Sequence, residues 1–485
     1  MQWYISFAAG FMKIRWQNTT IAFLLLISFF PADGQETHQD TIAKAKLDDA
    51  LVTVRKITVT GNRKTKLRIV LREVYLEADS SYTMPFILEK IKNARSNLMN
   101  TTLFVDATVD FKNWYEDSID IVVDVKERWY WFPFPLFKPV DRNWNVWINQ
   151  YNVSLERVNY GIKFLGNNLT GRNDKINLYL VNGYTKQIAL TYQNPYMGRN
   201  LKWGYSTEFS YSQNREINYI TKGNEQIFFK NEDAFVRKRL TVGGGISYRK
   251  NSNERHTLKL NYTWESVNDT IAILNPVFFG NGKTNTGFPE LSYRYQLFNV
   301  DYIPYPLTGF KGEFSFMKRG WGGSMDMWMF NVRGGKYWPL GNKFYFSTAG
   351  EFTIKLPFDQ PYYNLPLMGY ADNYLRGMEY YVIDGVASGL LKNTLRKQIF
   401  DIKWKTGLKS RTYGVIPFRI FLKTYGDLGY VYNKYNYNGN TLSNRWLYTG
   451  GFGVDIVTIY DVVFKLEYSF NQLNQHAMFI HLNEF

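Results

Sequence analysis

The chain has 485 residues, no cysteine, a formal net charge of +16 and 18% aromatic residues. The lack of cysteine speaks against a disulfide framework and a lipoprotein anchor. Lysine and arginine are scattered singly, which speaks against nucleic-acid binding. A mean hydropathy of −0.34 is unusual for a bundle of membrane helices. A polar chain rich in aromatics is instead typical of a membrane β-barrel with a wet lumen and aromatic girdles.

Residues 1–34 have the pattern of a secretory signal peptide. Lys13 and Arg15 precede an apolar run at residues 21–30, and small residues lead up to Gly34. The run is too short to span a bilayer as a helix. We therefore expect cleavage after Gly34, with Met12 as an alternative start and a buried core helix as the alternative structure.

Residues 35–50 are polar and aperiodic, and we expect them to form a flexible lead-in. Residues 51–128 then alternate between element types. The predicted elements are strand 52–59, helix 67–74, helix 87–98, strand 104–111 and strand 119–125. This order predicts one small α+β domain. Residues 129–147 are rich in aromatics, and we expect a linker that forms a collar at the rim of the next domain.

Residues 148–485 contain long segments in which apolar and polar residues alternate. Within residues 202–212, Trp203 and Phe209 share the apolar parity, and Lys202 and Glu208 share the polar one. A soluble sandwich also alternates, but its strands are shorter and its aromatics fewer. The predicted fold class is mainly β: a closed transmembrane antiparallel β-barrel of about 16 strands, preceded by one small α+β domain.

Three short segments of the small domain form a recognisable set. They are residues 57–62 with Gly61 and Asn62, residues 100–104 with Phe104, and residues 121–128. Their order and spacing resemble a POTRA domain, the periplasmic polypeptide-transport-associated module. A POTRA domain followed by a barrel resembles the BamA-like superfamily of outer-membrane assembly factors and two-partner secretion translocases, of the bacterial surface antigen type. This chain resembles a member with a single POTRA domain.

A long segment between two strand patterns contains Arg376 and Gly377. It resembles the superfamily's loop motif, whose arginine folds back inside the barrel. The resemblance implies that Asp427, in an aspartate-x-glycine strand, is the acidic partner of Arg376. Because the apolar residues of segment 418–422 share one parity, Asp427 falls on the lumen parity. Many relatives place a glutamate on the neighbouring strand, where this chain has Thr394. The alternative is a chance Arg-Gly pair in a surface loop.

The last strand carries a further resemblance. Phe485 resembles the terminal aromatic by which the cell's own assembly machinery recognises members of the superfamily. Phe479 fits the apolar alternation of this signal, whereas His481 and Asn483 lie where apolar residues are usual.

The sequence carries no recognisable catalytic motif. The 4 histidines form no zinc motif, and neither a Gly-x-Ser-x-Gly elbow nor a phosphate-binding glycine loop occurs. We therefore expect no enzyme activity, no cofactor and no metal. A barrel lipase with a Ser-His pair across strands stays as an alternative.

The resemblance implies a function at the bacterial outer membrane, with the POTRA domain in the periplasm. We expect an assembly, insertion or translocation factor that works without nucleotide, by β-augmentation of client segments and by a barrel seam. The implied partners are unfolded outer-membrane protein clients, outer-membrane lipid and periplasmic or lipoprotein accessory subunits, with no nucleic acid. The alternatives are a two-partner-type secretion pore for a dedicated client and a passive porin or structural barrel.

Overall fold

The computed structural model describes residues 51–139, 144–198, 200–231, 233–370, 373–407, 415–435 and 439–483. The predicted signal peptide, residues 1–34, and the predicted lead-in, residues 35–50, lie outside the described residues. No helix in the described part of the chain is long and apolar enough to cross a membrane.

The small domain packs two helices on one four-stranded sheet. Its elements are β1 (Leu51–Thr60), α1 (Leu67–Leu71), β2 (Ser80–Thr83), α2 (Met84–Asn100), β3 (Phe104–Tyr115) and β4 (Ser118–Glu127). The strand order is β2-β1-β4-β3, with β1 parallel to β4 and β3 antiparallel to it. Sequence alone predicted the order of these elements along the chain, except for the short strand β2, but not their order in the sheet. The core is built from one face of each element, for example Val54, Ile87, Leu98 and Ile121.

The remainder of the described chain is mainly antiparallel sheet. Its strands are β5 (Trp131–Pro139), β6 (Val158–Asn167), β7 (Lys175–Gly183), β8 (Thr185–Met197), β9 (Trp203–Asn214), β10 (Glu216–Lys222), β11 (Glu225–Lys230), β12 (Arg237–Tyr248), β13 (Glu254–Val267), β14 (Asn285–Val300), β15 (Gly309–Arg319), β16 (Met327–Gly341), β17 (Phe344–Leu356), β18 (Pro366–Met368), β19 (Ile383–Asp384), β20 (Ala387–Lys405), β21 (Val415–Tyr432), β22 (Trp446–Val457), β23 (Val463–Asn471) and β24 (His476–Asn483). Two short helices, α3 (Trp144–Asn149) and α4 (Asp269–Leu274), lie in the connections.

Sixteen of these strands form one sheet, called the barrel below, in which each strand pairs with its neighbours in chain order. The strands β10 and β11 pair only with each other, as do β18 and β19. Across the residues that the structure describes, no backbone ladder joins the first barrel strand, β5, to the last, β24. We call the gap between these two strands the seam, and α3 contacts β24 beside it.

The two faces of the barrel carry different side chains. On the outer face, large apolar residues stay exposed: Trp203 by 50%, Phe209 by 42% and Leu260 by 54%. Residues of the opposite parity are polar and face the lumen, where side chains such as Thr263 and Glu265 are buried. Apolar area of this size is unfavourable in water. The outer face therefore matches hydrocarbon and the inner face a polar interior, as the alternation predicted.

The barrel begins earlier in the chain than the sequence predicted. Residues 129–147 were expected to form a linker with the barrel starting at residue 148, but Trp131–Pro139 forms the first strand and pairs with β6 along its whole length. The prediction was wrong because three prolines within nine residues weaken the strand signal. Proline is tolerated in an edge strand, where one row of backbone nitrogens has no ladder partner.

Candidate functional site

A long loop between β17 and β20, residues 357–386, folds into the lumen. Tyr363 donates a hydrogen bond to Glu265 of β13 at 2.9 Å. Asn364 accepts one from Arg319 of β15 at 2.6 Å, and Lys355 of β17 donates to the Asn364 carbonyl oxygen at 2.7 Å. Because its first half binds β13, β15 and β17, the loop crosses the interior of the barrel instead of standing on its surface.

The second half of the loop brings Arg376 to β20 and β21. Its Nε donates to Asp427 Oδ2 at 2.8 Å, and its Nη2 donates to Asp427 Oδ1 at 2.5 Å. Both residues are buried, with 7% of Arg376 and 1% of Asp427 exposed. The guanidinium also lies 4.0 Å from the ring centre of Tyr425. A two-pronged, charge-assisted pair of this kind is among the strongest side-chain contacts in proteins.

Thr394 and a residue that the sequence analysis missed complete the shell of Arg376. Thr394 Oγ1 accepts a hydrogen bond from Arg376 Nη1 at 3.0 Å. Glu467 of β23 places Oε1 at 3.9 Å from the same nitrogen. The second carboxylate beside the arginine therefore comes from β23, whereas the position on β20 holds a neutral hydroxyl. The only sequence signal for Glu467 was its parity, opposite to the apolar residues of its strand.

Glu467 contacts further polar and charged side chains on β21 and on β24. Lys423 of β21 lies 2.7 Å from Glu467 and also binds Asp455 of β22. His481 Nε2 of β24 lies 3.4 Å from Glu467 and 3.2 Å from Glu379 of the loop. Each strand from β20 to β24 thus contributes a side chain to one buried network. The network connects the loop to the last strand of the barrel.

The charged side chains around Glu467 determine whether this network can bind a metal ion. Ligand atoms of Glu379, Glu467 and His481 lie within 4.8 Å of one another and are the described group that could hold a metal ion. The Lys423 ammonium is already 2.7 Å from Glu467, however, and competes with a cation there. The arrangement suits electrostatic fixation of the loop. The histidines with described side chains bind Tyr293, Tyr468 and Glu379.

Comparison with known families supports this assignment of the fold. The Omp85 superfamily domain matches residues 168–458. The chain belongs to the Omp85 superfamily. The POTRA family, described as a surface antigen variable number repeat, matches residues 52–128. Proteins of the superfamily are outer-membrane barrels with periplasmic POTRA domains. We therefore call the small domain the POTRA domain and the end of the barrel beside it the periplasmic end.

Solved structures resemble this Omp85 chain only in fold. CdiB from Escherichia coli aligns with a TM-score of 0.53 at 11% identity, covering 89% of this chain and 76% of that chain. BamA from Haemophilus ducreyi lacking POTRA domains 1-3 aligns with a TM-score of 0.49 at 15% identity, covering 95% of this chain and 96% of that chain. No curated protein matches the sequence.

The POTRA residues that were predicted from the sequence, Gly61, Asn62 and Phe104, lie in the turn and the core of the domain. Gly61 follows β1 with φ of +85°, and a Cβ atom on it would lie 1.8 Å from the Val125 carbonyl oxygen. Asn62 donates a side-chain hydrogen bond to the Thr65 carbonyl oxygen at 3.1 Å. Phe104 is fully buried in the POTRA core. These residues shape the domain, and none of them reaches the lumen network.

The POTRA domain is joined to the barrel by buried charges that the sequence did not reveal. Glu73 of the POTRA domain accepts hydrogen bonds at 2.9 and 3.0 Å from Arg249, in the β12–β13 turn. Arg128, which follows β4, donates to Asp461, in the β22–β23 turn, at 2.9 Å. Tyr196, at the end of β8, and Leu201, in the connection from β8 to β9, belong to the POTRA core. No pattern in the sequence links residues so far apart.

The predicted C-terminal signal differs from the structure in the face on which Phe479 lies. The sequence analysis placed Phe479 on the apolar parity of β24, but this residue is 1% exposed, and its ring centre lies 5.5 Å from that of Tyr380. The apolar residues on the outer face are Met478 and Ile480. The parity assignment was wrong because apolar residues occur on both faces of this strand. Phe485 lies outside the described residues.

Proposed function

We propose that this Omp85 protein inserts client proteins into the outer membrane by letting client strands pair at the seam of its barrel, without nucleotide, cofactor or enzymatic step. The observation that carries the proposal is the seam: the ladder of the barrel ends at β5 and at β24, and no described ladder joins them. An unpaired strand edge is costly in hydrocarbon. An extended client strand that pairs there satisfies the edge, and folding of the client supplies the driving force.

The POTRA sheet offers a second edge at the periplasmic end. In the order β2-β1-β4-β3, the outer strand β3 runs over residues Phe104–Tyr115 and pairs only with β4. Extended peptides add to edges of this kind by backbone hydrogen bonds, largely independent of their sequence. We propose that β3 holds an unfolded client segment before it reaches the seam.

A passive pore is the weaker alternative, because segments inside the barrel are bonded to one another and to its wall. The tip of the β10–β11 hairpin places Asn224 between two other segments. Its backbone N–H donates to Asn440 Oδ1 at 2.8 Å, and its carbonyl oxygen accepts from the Val382 N–H at 2.8 Å. The loop after β17 is also bonded inside the barrel, through Tyr363 to Glu265 and through Asn364 to Arg319. A solute would have to displace these bonded segments.

Depletion of the protein in its native host, followed by quantification of outer-membrane proteins, tests the proposal. We expect several barrel proteins to fall together while periplasmic unfolded forms accumulate. Loss of one secreted protein with all barrels intact would instead indicate a two-partner-type secretion pore. Changed uptake of small solutes, with no change in the outer-membrane proteome, would indicate a porin. Complementation by the unaltered gene is the control.

A further inference from the structure

The interior of the barrel has a packed side and an open side. On β21, β22 and β23 the charged side chains of Lys423, Asp455 and Glu467 are 2% exposed or less. On β14 and β16 the side chains of Arg294 and Arg333 are 55% and 51% exposed. These two arginines have the lumen parity of their strands, and the lumen loop leaves them uncovered. This side of the interior is therefore open to solvent.

The open side carries more positive than negative charge. Arg294 and Arg333 share a single carboxylate, that of Glu313 on β15, at 3.4 and 2.9 Å. Lys311, on the same strand as Glu313, has no ion pair among the described residues and lies 6.0 Å from the ring centre of Tyr337. An excess of positive charge inside a barrel attracts anions from solution.

A cavity of about 810 Å³ lies at the periplasmic end of this side, between helix α2 of the POTRA domain and the barrel wall. Lys90 and Lys92 of α2 line it, as do Lys175 at the start of β7 and Arg255 near the start of β13. In the sheet, β8, β9 and β12 separate β7 from β13. Positive charges from three separate elements therefore converge on one cavity.

The two barrel cations of the cavity have no acid of their own. Neither the Lys175 nor the Arg255 side chain has a hydrogen bond or a salt bridge within the part of the chain that the structure describes. Arg255 acts on Lys175 as a like charge. Asp461 also acts on Lys175, but it is already bound by Arg128 at 2.9 Å. Two like charges that face one cavity repel each other unless an anion lies between them.

The acids in the lining of the cavity do not remove this excess. Glu89 lies 3.8 Å from Lys90 of the same helix. Asp301 accepts two backbone hydrogen bonds within the β14–β15 turn, at 3.0 and 3.1 Å. Glu254 has the outer parity of β13. The charges of Lys175 and Arg255 therefore remain available to a ligand.

We propose that this cavity binds an anion that carries a phosphate group. Guanidinium and ammonium groups both donate charge-assisted hydrogen bonds to phosphate oxygens. A phosphate group carries up to about two negative charges at neutral pH, so that a single group can neutralise both Lys175 and Arg255. Free phosphate compounds and phospholipid headgroups share this chemistry. The site is separate from the seam and does not depend on the proposed function.

Isothermal titration calorimetry can test the proposal with the full-length protein in a nonionic detergent and a phosphate-free buffer. The probes are inorganic pyrophosphate, a free phosphate compound, and dioctanoyl phosphatidate, which carries its phosphate on a lipid headgroup. The variants are Lys175→Gln and Arg255→Gln. Lys238→Gln is the matched control, because it removes one positive charge from the outer face of β12, where Lys238 is exposed.

We expect one pyrophosphate per chain, bound at least about tenfold more weakly by each cavity variant, because each variant lacks a charge-assisted hydrogen bond. Lys238→Gln should bind as the wild type does. Binding of phosphatidate alone, with the same dependence on Lys175 and Arg255, would support the proposal and assign the phosphate to a lipid headgroup. Binding of neither probe, or equal binding by all variants, would overturn it. Binding of a tetraglutamate peptide in place of both probes would also overturn it, in favour of an acidic peptide.

Two further measurements separate binding at this cavity from an effect on folding. Lys175→Arg keeps the positive charge and should bind pyrophosphate nearly as tightly as the wild type; a loss as large as that of Lys175→Gln would contradict the proposal. Because α2 lines the cavity, pyrophosphate should slow hydrogen exchange in peptides of α2 in the wild type and not in Arg255→Gln. Exchange in α2 that pyrophosphate leaves unchanged would place any binding elsewhere and overturn the proposal.

Discussion

Replacing Asp427 by alanine tests whether the buried ion pair holds the lumen loop. The change removes the carboxylate that accepts two hydrogen bonds from the Arg376 guanidinium, at 2.8 and 2.5 Å, and one from its backbone N–H at 3.4 Å. Breaking a buried pair by removing one partner typically costs about 3 to 5 kcal/mol. Thr394 and Glu467 remain beside the guanidinium at 3.0 and 3.9 Å. We therefore expect the lower end, about 3 kcal/mol.

Hydrogen exchange of the loop measures this loss directly. At about 1.4 kcal/mol per factor of ten, a loss of about 3 kcal/mol makes release of the loop roughly a hundredfold more frequent. The Gly377 amide reports on it, because its N–H donates to Glu379 Oε2 at 2.7 Å. The full-length protein in detergent should show faster exchange in loop peptides and unchanged exchange in β12 and β13.

Glu156→Ala is the matched control, because it removes an exposed ion pair with Lys230, a kind of contact worth at most about 1 kcal/mol. It should leave the loop unchanged. Arg376→Ala and the double variant complete a double-mutant cycle, which isolates the coupling between the two residues. Wild-type exchange of the loop in Asp427→Ala, or effects of the two single changes that simply add, would refute the idea that this pair fixes the loop.

Three further predictions concern the POTRA domain and the outer face. Gly61→Ala should lower the unfolding temperature measured by circular dichroism in detergent, because its Cβ would lie 1.8 Å from the Val125 carbonyl oxygen; an unchanged value would contradict the clash. The hydrogen bond from Arg55 lowers the pKa of Asp120 to about 2. The stability that this carboxylate contributes is therefore present above its ordinary pKa of 3.8 and is lost as the pH falls towards about 2. Asp120→Asn should flatten this part of the pH profile of urea unfolding, and a profile as steep as the wild type would exclude the Arg55 pair as its cause. A nitroxide on Phe209→Cys in lipid vesicles should be accessible to oxygen and shielded from a water-soluble nickel reagent, and the reverse pattern would place this face away from lipid.

The side-chain alternation was the most informative signal in the sequence. In β9, where Trp203 and Phe209 are exposed and the other parity turns inward, the local pattern alone assigns each residue to a face. The same argument predicts that Asp427 faces the lumen, where the structure has it. Parity works here because the two sides of a membrane barrel contact different solvents, so local sequence carries the information.

The pattern failed where local sequence and environment disagree. β5 was missed because its prolines weaken the strand signal, although an edge strand tolerates them. Phe479 was assigned to the wrong face because its strand is apolar on both sides. Glu467 and the pairing of Glu73 with Arg249 depend on which strands and turns become neighbours. That information is in the register of the whole sheet and in the docking of two domains, which no local pattern encodes.

The shared core of the POTRA domain and the β8–β9 connection has a practical consequence for engineering. Tyr196 and Leu201 pack in the POTRA core, so a barrel produced alone would expose more of an aromatic and an aliphatic side chain and would leave Arg249 without Glu73. Replacing the POTRA domain by that of a relative would also require replacing the barrel turns that contact it. The POTRA domain and the barrel of this chain therefore cannot be exchanged independently, because the residues at their interface have to match.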